Sequence, residues 1–282
     1  MAPKTFHQIL EKITPHISTF LLSCAWEFST HPTPHEIITR LGQFDIDSRI
    51  IFSNGNILTD KMLCAIIEAN LQKYVFSINE STSETYSYIR KGGKFERVMT
   101  NIQRMVEAKK QMGSGPVIAV NMTLLHSNIE ELPDFVSKAV KLGVQTISGR
   151  HLILNKGLGM QKELITDFAR ADQLIECAQS IADTAGVLFN VPLYNVPKPS
   201  KKNCTAVFNQ WHVSSNGDVS ICPRIHKHII VGNILSQSFE TIYTGQSLQN
   251  LKAEFKTGKF TNPVCSLCLR NKEIEIEIDQ GF

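Results

Sequence analysis

From Ile17 to Pro192 the chain alternates short apolar runs with helical stretches, and nothing else in it restricts the fold as strongly. The apolar runs fall at 17–24, 49–52, 73–77, 116–125, 144–154 and 187–192. Helical periodicity fills the intervals at 34–42, from the Thr59-Asp60 cap to Asn70, at 83–90, 94–112, 128–142 and 170–184. Neighbouring parallel strands need a crossover of a dozen or so residues, usually a helix, and such crossovers are right-handed. The pattern therefore predicts an α/β fold with a parallel sheet. Residues 5–14 read as an amphipathic helix, with Phe6, Ile9, Leu10 and Ile13 on one face.

The organisation changes after residue 192. Residues 193–203, with their prolines and lysines, read as a linker. From residue 204 to 282 the periodicity is short and irregular, with turn signals at Asn216-Gly217-Asp218 and Gly232-Asn233. Such a segment is expected to have little core of its own, a deficit that metal centres commonly remedy. The tail from Glu273 to Asp279 alternates acids with isoleucine, as an edge strand with one wet face does.

Four cysteines in this region suit a metal centre. Cys265 and Cys268 form a C-x2-C pair, a spacing that turns both sulfurs toward one ion. Cys204 and Cys222 flank an expected hairpin with its turn at Asn216-Gly217, so the chain returns to where it began. Four thiolates serve either an iron–sulfur cluster or a structural zinc, and thiolate chemistry alone does not separate the two. Cys64 and Cys177 fall inside helical stretches and are expected in the core. The chain has no apolar run of about 20 residues to span a bilayer, and 1–12 lacks a signal-peptide apolar region. A reducing cytoplasm is the expected setting, where seven cysteines are better read as thiols or ligands than as disulfides. With 29 basic and 26 acidic residues, the net charge of +3 gives no reason to expect nucleic acid or an acidic membrane as partner.

Several segments resemble those of one family. Leu22-Ser-Cys-Ala-Trp-Glu27 looks like a Gly-Gly-Glu segment, and Ser53-Asn54-Gly55-Asn56-Ile57-Leu58-Thr59 like a Thr-Asn-Gly-Thr-Leu-Leu-Thr stretch. Phe76-Ser77-Ile78-Asn79 resembles Ser-Ile-Asp-Gly, and Tyr86 to Asn101 resembles a helix–loop–helix pattern. Cys204 to Cys222 with Trp211 and Gly217 between them, Gly232-Asn-Ile, and Cys265-x2-Cys268 resemble the cluster frame of an appended domain. On these motifs the chain resembles the radical S-adenosylmethionine superfamily with a C-terminal SPASM-type domain. The resemblance implies a partial (β/α) barrel over 1–192, a linker over 193–203, and over 204–282 an iron–sulfur domain with an auxiliary 4Fe–4S cluster. It implies that Cys204, Cys222, Cys265 and Cys268 hold that cluster. Glu27 would hold the amino group of the cofactor's methionine moiety, and Ser53, Asn54, Ser77 and Asn121 would line the rest of an S-adenosylmethionine site. All five lie at the carboxyl ends of predicted strands, where ligands of parallel barrels gather. A peptide or protein is the substrate class that the resemblance implies.

The family's C-x3-C-x2-C loop, whose thiolates hold the cluster that cleaves S-adenosylmethionine, does not occur in the 282 residues. The expectation is a chain that begins after the first barrel strand, which leaves the strand at 17–24 as an unpaired apolar edge that invites pairing with another chain, and that does not cleave the cofactor on its own. Ser23 to Trp26 replace the glycines, and Asn79-Glu80 replaces Asp-Gly. Whether the chain is an enzyme stays open. The alternative is a non-catalytic iron–sulfur or zinc protein serving electron transfer or partner binding. Simpler roles stand beside each site residue. Glu27 serves equally as a structural ion-pair partner, Ser53-Asn54-Gly55 is a favoured turn in its own right, and His151 on the fifth strand reads as an ordinary hydrogen-bonded histidine. His226, His228, Lys201 and Lys202 read as solvated.

Overall fold

The computed structural model describes residues 1–22, 27–90, 92–152, 159–195, 204–222, 229–261 and 265. Cys24, Trp26, Lys201, Lys202, His226, His228, Cys268 and the tail 273–279 lie outside the described residues. The chain forms two compact units.

The larger unit holds six parallel strands in the order β1 to β6: β1 (Thr19–Leu22), β2 (Ser48–Ser53), β3 (Lys73–Ser77), β4 (Val117–Leu124), β5 (Thr146–His151) and β6 (Leu188–Asn190). The crossovers carry α2 (Pro34–Gly42), α3 (Asp60–Glu68), α4 (Ser83–Ile89), α5 (Phe95–Met112), α6 (Leu132–Lys141) and α7 (Phe168–Thr184). Spatial order equal to sequence order is barrel winding. A doubly wound sheet would reverse its order at a switch point.

Local chemistry sets the helix starts. Thr59 Oγ1 accepts the N–H of Met62 at 3.2 Å ahead of α3, and Thr82 Oγ1 that of Thr85 at 3.2 Å ahead of α4. Asp167 Oδ1 accepts the N–H of Arg170 at 2.9 Å ahead of α7. Strand pleating then sorts the side chains by face. The row Phe76, Val120, Ile147, Phe189 runs across β3 to β6 and is buried. Burying four such side chains contributes roughly 1.5–3 kcal/mol each. One residue further on lies the row Ser77, Asn121, Ser148, Asn190, on the opposite face and less covered. β1 is an edge strand, paired only with β2, and its Leu21 is 52% exposed.

The smaller unit joins α1 (Pro3–Ile13) to the C-terminal segment. This differs from the expected division, which put residues 1–192 in one domain. The reason is a specific clasp. Lys12 Nζ donates to the carbonyls of Ile234, Leu235 and Gln237 at 2.7, 3.1 and 3.2 Å, and the His16 ring stacks on Phe239 at 3.9 Å. The segment contains α8 (Ala206–Asn209), a three-stranded antiparallel sheet of β7 (His212–Val213), β8 (Asp218–Ser220) and β9 (Gly232–Asn233), then α9 (Phe239–Thr244) and α10 (Gln246–Thr257). The hairpin turn falls at Asn216-Gly217 as expected, and Gly217 takes φ +86°, a left-handed conformation that suits glycine. Contrary to expectation the segment has a core: Val207, Val219, Ile221, Ile234, Ile242 and Leu248 are at most 1% exposed. Residues 193–195, expected in the linker, are tied to the larger unit, because Asp172 accepts the N–H groups of Tyr194 and Asn195 at 2.6 and 3.0 Å. Cys64 and Cys177 are exposed rather than buried. Each lies off the apolar stripe of its helix, which runs through Met62, Ala65 and Ile66 in α3 and through Leu174, Ile175 and Ala178 in α7.

Candidate functional site

Glu27, Ser53, Asn54 and Ser77 stand at or just past the carboxyl ends of β1 to β3, and Asn121 lies within β4 beside Ser77. Glu27 stands after β1 and starts a short 3₁₀ turn over Phe28–Thr30. Its Oε1 accepts the N–H of Ser29 at 3.2 Å and the hydroxyl of Ser53 at 2.8 Å, and its Oε2 accepts the N–H of Asn54 at 2.6 Å. The structure therefore brings Glu27, Ser53 and Asn54 into one cluster at the ends of β1 and β2. A carboxylate offers about four acceptor sites. Three are used among the described residues, which leaves one of the four for a further donor such as an ammonium group.

Tyr74 lies beneath this cluster and is fully buried. Burial pushes its phenol far up, the Ser53 hydroxyl beside it pulls it part of the way back, and the Glu27 charge adds to the rise. No hydrogen bond of normal length reaches its hydroxyl among the described residues. The sequence reading missed Tyr74, because a tyrosine in an apolar strand looks like core.

Ser77, Asn121 and Ser148 form the centre of the site. Register pairs Ser77 with Asn121 and Asn121 with Ser148, and the Ser148 hydroxyl donates to Asn121 Oδ1 at 3.0 Å. Ser148 was also missed; it lies one residue beyond the buried Ile147 and so on the opposite face of the strand. One step beyond, Thr123 pairs with Arg150 and Leu124 with His151. His151 stacks on Tyr194 at 3.7 Å, its Nε2 is 2.8 Å from the Pro192 carbonyl oxygen, and Phe168 stacks on the same tyrosine at 5.1 Å. The ring is thus engaged structurally.

The loop after β3 is pinned on both sides. Asn79 Oδ1 accepts the N–H of Thr123 at 2.9 Å, and Asn128 Nδ2 donates to the Asn79 carbonyl at 2.8 Å. Glu80 is fully buried and faces Arg90 at 3.6 Å. Burial raises its carboxyl, and the Arg90 charge draws it partly back.

In the smaller unit, Cys204 precedes α8 and Cys222 follows β8; both are half-buried, and Cys265 is 8% exposed. Cys268 lies outside the described residues, and among the described residues no three His, Cys, Asp or Glu side chains form a metal-sized group. Three sulfurs with a C-x2-C partner are a donor set that suits an iron–sulfur cluster. Val219, Ile221 and Val231 of the same unit are buried. Among the described residues no helix is long and apolar enough to cross a membrane.

Residues 204–269 match the SPASM domain, an iron–sulfur cluster-binding domain. The antilisterial bacteriocin subtilosin biosynthesis protein AlbA of Bacillus subtilis (strain 168) is 22% identical over 231 residues, which are 80% of this chain and 49% of AlbA. The chain thus spans about half the length of that curated relative. Streptococcus suis SuiB bound to S-adenosylmethionine has the same fold, with a TM-score of 0.70 at 14% identity over 98% of this chain and 66% of SuiB. SuiB bound to its precursor peptide SuiA matches with a TM-score of 0.70 at 13% identity, over 98% of this chain and 65% of SuiB. Native anSMEcpe with bound AdoMet and Cp18Cys peptide matches with a TM-score of 0.66 at 11% identity, over 98% of this chain and 80% of that one. Residues 204–269 thus carry the SPASM match, and the chain as a whole is similar in sequence to AlbA and in fold to SuiB and anSMEcpe.

Proposed function

We propose that this chain binds S-adenosylmethionine at the carboxyl ends of β1 to β5 and works on a peptide or protein. The observation that carries the reading is the Glu27, Ser53 and Asn54 cluster together with the polar row Ser77, Asn121 and Ser148. Glu27 would take the cofactor's ammonium at its remaining acceptor site, since a charged pair out of water makes a strong hydrogen bond. The Ser77 hydroxyl and Asn121 amide suit a ribose or a carboxylate. Relatives support the substrate class, for SuiB is known with S-adenosylmethionine and with a precursor peptide, and AlbA serves the biosynthesis of a bacteriocin.

In the smaller unit, Cys204, Cys222, Cys265 and Cys268 would hold one 4Fe–4S cluster, which supplies electron transfer when bound. The chain's own residues would provide the four sulfur ligands. The seven cysteines of the 282 residues include no C-x3-C-x2-C loop, so reductive cleavage of S-adenosylmethionine is not assigned to this polypeptide by itself. A cytoplasmic setting and pairing of copies through the β1 edge complete the reading. Calorimetric titration of the 282-residue chain with S-adenosylmethionine tests it. Saturable binding without 5′-deoxyadenosine under dithionite is expected. Absence of binding would sink the cofactor reading, and formation of 5′-deoxyadenosine would sink the assignment of cleavage elsewhere.

A further inference from the structure

The segment from Tyr86 to Asn101 is not used by the site described above, yet its side chains converge on one turn of it. Residues 54–58 link β2 to α3, and Asn54 in this turn donates its backbone N–H to Glu27. Asn56 is the turn's hub. Its N–H donates to Asn54 Oδ1 at 2.9 Å, its Nδ2 donates to the Tyr86 hydroxyl at 2.9 Å, and its Oδ1 accepts the N–H of Lys94 at 3.0 Å. Two further bonds come from α5: Asn101 Nδ2 donates to the Gly55 carbonyl at 2.7 Å, and Arg104 Nη1 to the Leu58 carbonyl at 2.7 Å.

The packing has no slack. Gly55 takes φ +74°, and a Cβ there would meet the Phe76 ring at 2.7 Å and Val98 at 3.0 Å. A Cβ on Gly93 would meet the Tyr86 ring at 2.6 Å, so the hairpin between α4 and α5 closes directly over that ring. The hairpin is itself anchored away from the turn. Glu131 accepts the Ser81 and Thr85 hydroxyls at 2.7 and 3.1 Å at the start of α4, and buried Glu80 faces Arg90 at its end. None of these groups touches Glu27. They act through the turn that carries Asn54.

We infer that the α4–α5 hairpin is a clamp that positions the Ser53–Leu58 turn for its ligand, with Tyr86 and Asn56 as the positioning residues. The inference rests on the reading of this end of the sheet as an S-adenosylmethionine site. A turn with a preset Asn54 N–H and Ser53 hydroxyl spares the ligand the entropy of ordering them. Loosening the clamp therefore lowers affinity without removing any ligand contact.

The test compares Tyr86→Phe with Tyr88→Phe in the full chain. Tyr88 lies on the same helix, but its hydroxyl bonds Glu163 at 3.2 Å and not the turn. Amide hydrogen exchange over residues 53–58 is measured in the free protein, and S-adenosylmethionine affinity by calorimetry. Tyr86→Phe should speed exchange in the turn and weaken binding, each by about threefold to tenfold, the size of one lost neutral hydrogen bond. Melting should move by only a few degrees. Tyr88→Phe should change neither the exchange of the turn nor the affinity. Unchanged exchange in Tyr86→Phe, or an equal effect from Tyr88→Phe, would overturn the clamp. Faster exchange in a protein that binds no S-adenosylmethionine even in its native form would overturn the ligand role while leaving the mechanical coupling measured.

Discussion

Asn54 donates its backbone N–H to Glu27 Oε2 at 2.6 Å, joining the segment after β1 to the turn after β2 through one carboxylate. The same side chain holds Ser53 and Ser29 with its other oxygen, so it organises three backbone or hydroxyl donors at once. Glu27→Gln keeps the shape and removes the charge. It should cost about 1–3 kcal/mol in urea unfolding, as charge-assisted bonds become neutral ones. It should also weaken S-adenosylmethionine binding at least tenfold. Lost stability with unchanged affinity would assign Glu27 to the scaffold alone.

Tyr194 gives a prediction in the alkaline range. Burial first, and then the Asp172 charge, push its phenol up to about 12. An unfolded chain loses that proton near pH 10, roughly the ordinary tyrosine value. Between these two values the folded state binds more protons than the unfolded one, so stability falls as pH rises through the window. Tyr194→Phe removes this fall, by on the order of 1–2 kcal/mol. Urea unfolding at several pH values above 9 should show a flatter curve for the variant, and superimposable curves would refute the assignment.

Much of this fold is legible in the sequence because its determinants are local. β3 occupies Lys73–Ser77 as the apolar run predicts, and α3 starts at the Thr59 cap. The carboxyl-end residues follow from the strand ends. The clamp on the turn does not, since Asn56 meets Tyr86 across 30 positions and Asn101 meets Gly55 across 46. Nothing in the local pattern marks such partners. α10 was legible in principle, because Leu248 and Leu251 lie one turn apart and Gly258 stops the helix at φ +71°. The turn signals nearby obscured it. Placing α1 with the C-terminal segment depends on Lys12 reaching carbonyls more than 220 positions away, which periodicity cannot reveal.

The edge strand supplies a further prediction. β1 pairs on one side only, and its Leu21 is 52% exposed. Exposed apolar edges template further pairing, and lysine on an edge strand suppresses it. Light scattering of the 282-residue chain should report dimers or larger species, and Leu21→Lys should shift them toward monomer. A clean monomer for the unsubstituted chain at high concentration would contradict this.

The most direct measurement is the metal content of the chain after anaerobic reconstitution with iron and sulfide. The account predicts about four irons and four sulfides per chain, as a cluster held by four thiolates requires. It also predicts loss of that content on substitution of Cys204, Cys222, Cys265 or Cys268 by serine, and retention on substitution of the exposed Cys64 or Cys177. Stoichiometric zinc with no uptake of iron, or iron uptake indifferent to the four substitutions, would contradict it.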